Sequence, residues 1–252
     1  MLTYRNLLEN HRYTRILRIA AVALFVATVP LFLVTSNLRW VIQTPLLYSY
    51  GFDKYDIVER TDIERDELLV AAGQIRDYFT NGDEFITISV VRRGVRAPNL
   101  YNEREVLHMK DVKGLVKGVY RVQLLTGLYL LGFAVLGLAI GRRSFLPKLA
   151  RYAGLGGGLT LGLAALIGLG GLVAFNRLFL AFHQVSFSND FWLLDPRKDF
   201  LIMMFPEGFF LDATMWIAGS TIVEALLLAA LPVALFWWRP RIARRAAQRL
   251  AT

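Results

Sequence analysis

Apolar positions dominate four stretches of the chain, Ile16–Ser36, Val119–Ile140, Leu155–Phe175 and Ala213–Trp238. Each reaches the roughly 20 residues that a helix needs to cross about 30 Å of hydrocarbon, so each is expected to span a membrane. Between the first two, residues 37–118 change pattern. "TDIE" at 61–64 has the spacing of a capping box, and Leu68, Leu69, Ala72, Ile75 and Phe79 follow at helical intervals up to Asn81-Gly82. "EFITISVVRR" at 84–93 is rich in β-branched residues and stops at Gly94, which predicts a strand paired with a short second one. From Asn102 the pattern is helical again, with Val106, Met109, Val112, Val116 and Val119 running into the second span. That outer helix is expected to continue into the bilayer. In the third span Gly154, Gly158 and Gly162 recur every four residues, which predicts a close-packing face.

The stretch "FHQVSFSNDFWLLDPRKDFLIMMFPEGFF", residues 182–210, fits neither a loop nor a span, since it is dense in aromatics yet carries one histidine, four acidic residues and two prolines. Its rings, Phe182, Phe187, Phe191, Trp192, Phe200, Phe205, Phe209 and Phe210, suit a short interfacial helix that starts at Asp195-Pro196, breaks at Pro206 and lies half sunk in lipid.

The fold class is therefore predominantly α: a four-helix transmembrane bundle with a small α+β extracytoplasmic cap between the first two spans and an interfacial helix between the last two. The expected order is a tail at 1–15, a span at 16–36, the cap at 37–118, a span at 119–140, a basic loop at 141–154, a span at 155–175, the aromatic loop at 176–212, a span at 213–238 and a basic tail at 239–252. The N-terminal run is long for a signal peptide, and only "VTS" at 34–36 resembles a cleavage site, so a retained span is the better reading.

Composition agrees, with 55% hydrophobic residues in 252. The net charge of +9 would fit nucleic acid, but its distribution does not. Arg5, Arg12, Arg15 and Arg18 precede the first span, Arg142, Arg143, Lys148 and Arg151 separate the second and third, and Arg239, Arg241, Arg244, Arg245 and Arg249 follow the fourth; against them stands only Glu9. The other two connections are near neutral. The positive-inside rule then puts both termini in the cytoplasm and residues 37–118 and 176–212 outside. The basic clusters suit anionic phospholipid headgroups at the cytoplasmic face, with no nucleic-acid partner. The absence of cysteine rules out disulfides and thiol catalysis.

Polar groups near the outer boundary are the candidates for chemistry. His108 stands three residues after Glu105 and three before Asp111, so both carboxylates share its helix face and could orient one tautomer or favour the charged ring. His183 follows the third span at headgroup depth, where an ionisable group is costly unless it works or is well paired. Glu224 lies mid-span in the fourth, and Arg121 and Arg177 sit where snorkelling to the surface accounts for them. His11, in the basic tail, carries little functional weight. Ser186 and Ser188 near His183 keep a serine hydrolase open, and a metal site from His108, His183 and Asp199 is a weak alternative. No metalloprotease helix, nucleophile elbow or phosphate-binding glycine loop occurs.

Two motifs carry a family resemblance. "FHQVSF", Trp192 and "DPRKDFLIMMFPEGFF" resemble the signature of the bacterial lipoprotein intramolecular transacylases, and "NEREVLHMKDVKGL" resembles that family's element before its second span. Residues 40–100 have no such match. The resemblance implies an O-to-N acyltransferase of the plasma membrane. Its substrate is a diacylated lipoprotein whose N-terminal cysteine passes its sn-2 acyl chain to its own α-amino group, leaving a lyso-lipoprotein and needing no cofactor. It implies His183 as general base, His108 as partner in proton transfer or oxyanion stabilisation, Glu105 or Asp111 as orienting groups, and Asp199 and Trp192 as supporting or substrate-binding residues. An interfacial lipid hydrolase or acyltransferase, or a non-enzymatic membrane scaffold or sensor, are the alternative functions.

Overall fold

In the computed structural model, the backbone is described for residues 2–250 and side chains for residues 14–168 and 174–236. The side chains of His11 and of Arg239 onwards fall outside the described residues. Four helices are long and apolar enough to cross a bilayer, within Thr14–Gln43, Glu103–Ser144, Leu146–Gly168 and Glu207–Phe236. The chain divides into two compact units, 1–34 with 122–166 and 220–252, and 35–121 with 167–219.

The first unit is built from parts of α1 (Leu2–Gln43), α5 (Glu103–Gly141), α6 (Leu146–Val173) and α9 (Glu207–Leu250). Its core is thin, with Phe25, Val29, Leu33 and Ala225 buried among Phe32, Tyr129, Phe133 and Leu161. Most of its leucines face outward, Leu125 and Leu131 among them. That distribution suits a bundle whose solvent is hydrocarbon, where packing of small groups and not exclusion of water holds helices together. Of the expected four-residue glycine repeat on α6, only Gly154 is a tight position. A Cβ at Gly154 would meet Pro232, at Gly156 would meet Val29, and at Gly157 would meet the backbone of Ala225 and Ala229, whereas Gly158 and Gly162 face open space. The contacts follow two neighbours on different sides of α6, so the single stripe at 154, 158 and 162 is not the packing face.

The second unit is the α+β cap. After the end of α1 come α2 (Pro45–Lys54), α3 (Ile57–Thr61) and α4 (Arg65–Thr80), then β1 (Val90–Arg92) and β2 (Val95–Ala97), paired antiparallel with Val91 opposite Arg96. Arg93 and Gly94 both have positive φ, 52° and 76°, the backbone of a two-residue hairpin turn whose twist matches the strands. Phe52, Ile57, Ile63, Leu68, Ile88, Val90 and Met204 form the fully covered heart of this unit.

Two local expectations are corrected here. Thr61 does not cap α4; its hydroxyl donates to the Ile57 carbonyl at 2.7 Å and accepts from the Ile63 N–H, which closes α3 instead. The strand expected over 84–93 is regular only at 90–92. Side chains of α4 take the place of a neighbouring strand: Gln74 accepts from the Ser89 N–H at 2.8 Å and donates to its carbonyl at 2.9 Å, and Glu67 accepts from the Val91 N–H at 2.7 Å. The backbone is satisfied without a ladder. The expected continuity of the outer helix into the second span does hold, as α5 runs unbroken through 39 residues, about 58 Å.

The third apolar helix, α6, starts at Leu146 and ends at Val173, and α7 (Phe175–Ser186) follows it. No residue of α7 is buried, and Leu178, Leu180, Phe182 and Val185 are all exposed. The interfacial helix is thus α7 and not a helix at 196–205. Asp195 uses both carboxylate oxygens on the Arg197 guanidinium and one also on the Arg197 N–H, so it forms a local turn. The five-residue α8 (Phe200–Met204) then tucks Leu201 and Met204 inward. Of the eight rings assigned to the lipid face, Phe187, Phe205 and Phe209 are buried in protein.

Candidate active site

Two polar residues at the start of α5, Asn102 and Glu105, and a third just before α8, Asp199, form one hydrogen-bonded knot. Asn102 is the N-cap: its side-chain oxygen accepts from the Glu105 N–H at 3.1 Å, and Glu105 returns the bond by accepting from the Asn102 N–H at 2.8 Å. This reciprocal capping box satisfies two of the helix's free donors. The second Glu105 oxygen accepts from the Leu201 N–H at 2.6 Å, at the first turn of α8. Asp199 completes the knot, accepting from Asn102 Nδ2 at 2.9 Å and from the Asp195 N–H at 2.7 Å. Glu105 is 1% exposed, and burial raises its pKa, with the Leu201 and Asn102 N–H groups pulling the other way and Asp199 adding to the rise.

One turn further along α5, His108 is 7% exposed. Its Nδ1 is buried without a hydrogen-bond partner among the described residues. Burial lowers its pKa to about 4, the neighbouring His183 adds to the drop, and Asp111 opposes it. The ring is therefore neutral at physiological pH. Glu105, one of the two carboxylates expected to orient it, spends both oxygens on backbone N–H groups. Asp111 accepts from Asn189 Nδ2 at 2.8 Å, and so holds the loop opposite.

His183 comes from α7, with its ring centroid 6.2 Å from that of His108 and the planes 30° apart. Its Nδ1 lies 2.7 Å from the Phe179 carbonyl oxygen, one helical turn back. A carbonyl can only accept, so Nδ1 carries a proton, and in the neutral ring Nε2 presents the lone pair. Phe179, Phe182, Phe187 and Trp192 ring the imidazole, with centroids 4.4, 5.4, 5.7 and 5.2 Å away. Phe187 also meets His108 edge-on at 5.1 Å. Trp192 sits on the 187–199 loop, which is fixed to α5 by Asn189 on Asp111, by Arg104 Nη2 on the Asp190 carbonyl at 2.7 Å, and by Asp199 on Asn102.

An imidazole whose Nδ1 is tied to a carbonyl, a buried second histidine beside it and an apolar aromatic wall are arranged as groups that could move a proton next to an apolar ligand. A model of the lipoprotein intramolecular transacylases matches residues 23–210, which include every residue of this constellation. The chain belongs to the lipoprotein intramolecular transacylase family. No curated protein matches it. Solved structures of the transacylase Lit of Bacillus cereus are similar in fold. One has a TM-score of 0.69 at 20% identity, covering 90% of this chain and 97% of that one. Two others, each with a single histidine substitution, to arginine and to alanine, give 0.74 at 21% and 0.73 at 20% identity; they cover 93% and 92% of this chain and 98% and 99% of theirs.

In this transacylase chain the two motifs, 78 residues apart at Asp111 and Asn189, are joined by a hydrogen bond. Sequence reasoning missed Asn102, Arg104, Phe179 and Asn189. The signal for Asn102 was present, because "NERE" has the same capping-box spacing as "TDIE" and precedes a stronger apolar run. The carbonyl of Phe179 could not be found that way, since a backbone acceptor leaves no side-chain signal. Among the described residues no group of three His, Cys, Asp or Glu is placed to hold a metal ion.

Proposed function

We propose that this protein moves the sn-2 acyl chain of a diacylglyceryl-cysteine to the α-amino group of the same cysteine, with His183 as general base and His108 as its neutral partner. The observation that carries this reading is the 2.7 Å contact between His183 Nδ1 and the Phe179 carbonyl oxygen. With Nδ1 donating to the Phe179 carbonyl, Nε2 is left to take a proton.

The substrate amine has a reference pKa near 7.7–8.0, so it arrives mostly protonated and gives one proton to solvent on becoming nucleophilic. Its nitrogen attacks the acyl carbonyl carbon while His183 Nε2 takes the second proton. The new C–N bond forms, the C–O bond to glycerol breaks, and the imidazolium returns its proton to the departing glycerol oxygen. Amide, free hydroxyl and neutral histidine remain, so no acyl donor or cofactor is consumed. The cyclic intermediate contains N, Cα, Cβ, S, two glycerol carbons, the ester oxygen and the acyl carbon, and an eight-membered ring closes poorly unless its ends are held. Positioning by the aromatic wall is then a main source of rate. His108, with its unpaired Nδ1, would stabilise the oxyanion or relay the proton.

The same reading places both termini in the cytoplasm, the basic segments at anionic headgroups, and the histidine pair at the outer leaflet where diacylated cysteine lies. Exposed α7 supports that depth, since its apolar side chains need lipid around them.

Mass spectrometry of a reporter lipoprotein's N-terminal peptide, after co-expression in a host lacking any such enzyme, tests the reaction. Transfer yields an N-acylated lyso species with the total acyl count unchanged. A lost chain would mean hydrolysis, and an unaltered diacyl form would mean no catalysis; either defeats the proposal.

A further inference from the structure

Beside the histidine pair lies an open recess of about 460 Å³ in the second unit. Phe187 and Trp192 form its common wall with the active site, because both rings also pack on His183. Leu180 continues the apolar side, while Gln184, Ser188 and Asp190 supply the polar one. Asp190 is fixed at its backbone: its carbonyl accepts from the Leu193 N–H at 3.1 Å, closing a turn, and from Arg104 at 2.7 Å. Its carboxylate makes no hydrogen bond or ion pair among the described residues. The Arg104 guanidinium that reaches Asp190 is bound to its main-chain carbonyl. An exposed carboxylate that lines the same recess as an indole is an arrangement that attracts an alkylammonium.

Resting on the function proposed above, we infer that the recess binds the protonated α-amino group of the lipidated cysteine, with Asp190 as its counter-ion and Trp192 as the aromatic face. Capture there delivers the cation next to His183 before deprotonation. Asp190 is a substrate-recruiting residue that acts on binding, and the base does the chemistry. A primary ammonium also occurs on ethanolamine phospholipids, so the assignment needs a test that separates the two sources.

The test uses the full chain in phosphatidylglycerol vesicles, with His183→Gln to block turnover, and a fluorescent diacylglyceryl lipopeptide with a free or an N-acetylated cysteine. The free-amine form is expected to bind about fivefold more tightly, a ratio that falls to about one in His183→Gln/Asp190→Asn and returns with Asp190→Glu. In turnover assays of the otherwise wild-type chain, Asp190→Asn raises KM more than it lowers kcat. Equal binding of the two lipopeptides, or a preference that survives Asp190→Asn, overturns the inference. So does a preference erased by replacing half the lipid with phosphatidylethanolamine, which would assign the recess to a headgroup. Since binding is measured without turnover, this result stands apart from the co-expression assay, and either reading can fail alone.

Discussion

Glu105 bonds to two backbone N–H groups from opposite ends of one assembly, and its removal has a calculable cost. Glu105→Ala strips the acceptor from the Asn102 N–H at the head of α5 and from the Leu201 N–H at the head of α8. A buried donor left without a partner costs about 1–3 kcal/mol, so the pair amounts to about 3–4 kcal/mol, the Leu201 group being the more deeply covered. For a chain of this size 1 kcal/mol moves a melting midpoint by roughly 2–4 °C, so a fall on the order of 10 °C is expected. Glu105→Gln keeps one acceptor and should lose about half as much. The assay is thermal unfolding of the purified protein in mild detergent, joined to hydrogen exchange read on peptides covering 99–108 and 195–205. Both peptides should exchange faster in Glu105→Ala, while peptides of β1 and β2 are unaffected. A midpoint shift under about 2 °C, with exchange at Leu201 unchanged, would show that the carboxylate does not hold these two helix starts together.

Other outcomes follow from the same structure. His183→Ala should reduce lyso-lipoprotein formation by about 10²–10⁴-fold, the range for loss of a general base, and full conversion by the variant would remove His183 from the mechanism. His108 has a folded pKa of about 4 against 6.5 for the free side chain. The unfolded chain thus binds more protons at that site, and stability rises with pH between about 4 and 6.5, is fully present above, and is lost below. Melting midpoints measured across that window should show the slope, and His108→Leu should flatten it; an equal slope in the variant would refute the burial argument. In α6, Gly157→Ala drives a Cβ against the Ala225 carbonyl and the Ala229 nitrogen and should cost about 1–3 kcal/mol, whereas Gly158→Ala meets nothing and should be neutral or stabilising by up to ~1 kcal/mol. Equal melting of the two variants would contradict that packing.

How much of this was legible depended on whether the signal was carried by side chains in one segment. The spans, the helix 65–80 and the unbroken run from 103 through 141 were readable because 3.6-residue periodicity is local. The hairpin was visible in "VVRRGVRA", but its length was overestimated, because Gln74 and Glu67 replace a strand partner from a helix that sequence gives no reason to place there. His108 and His183 stood out as ionisable groups at a lipid boundary. Their pairing was implied only by the family resemblance and not by local periodicity, since it depends on the 187–199 loop being tied to α5. Aromatic richness around 182–210 suggests one lipid face, yet Phe205 and Phe209 serve the cap core while α7 carries the exposed apolar side chains. Composition cannot tell a ring that wants lipid from one that wants protein.

The exposed character of α7 has an environmental consequence. A helix of 12 residues is marginal in water on its own, and this one has no buried residue to stabilise it, so the bilayer supplies most of its reason to be helical. The Phe179 carbonyl that sets the His183 proton belongs to that same helix. The tautomer of His183 then follows the surroundings of α7: a chain released into aqueous solution is expected to lose the turn that holds Nδ1, and with it the lone pair that the proposed base role needs. On the proposed function, the membrane then acts as one component of the site, and catalytic competence is expected only where the substrate resides.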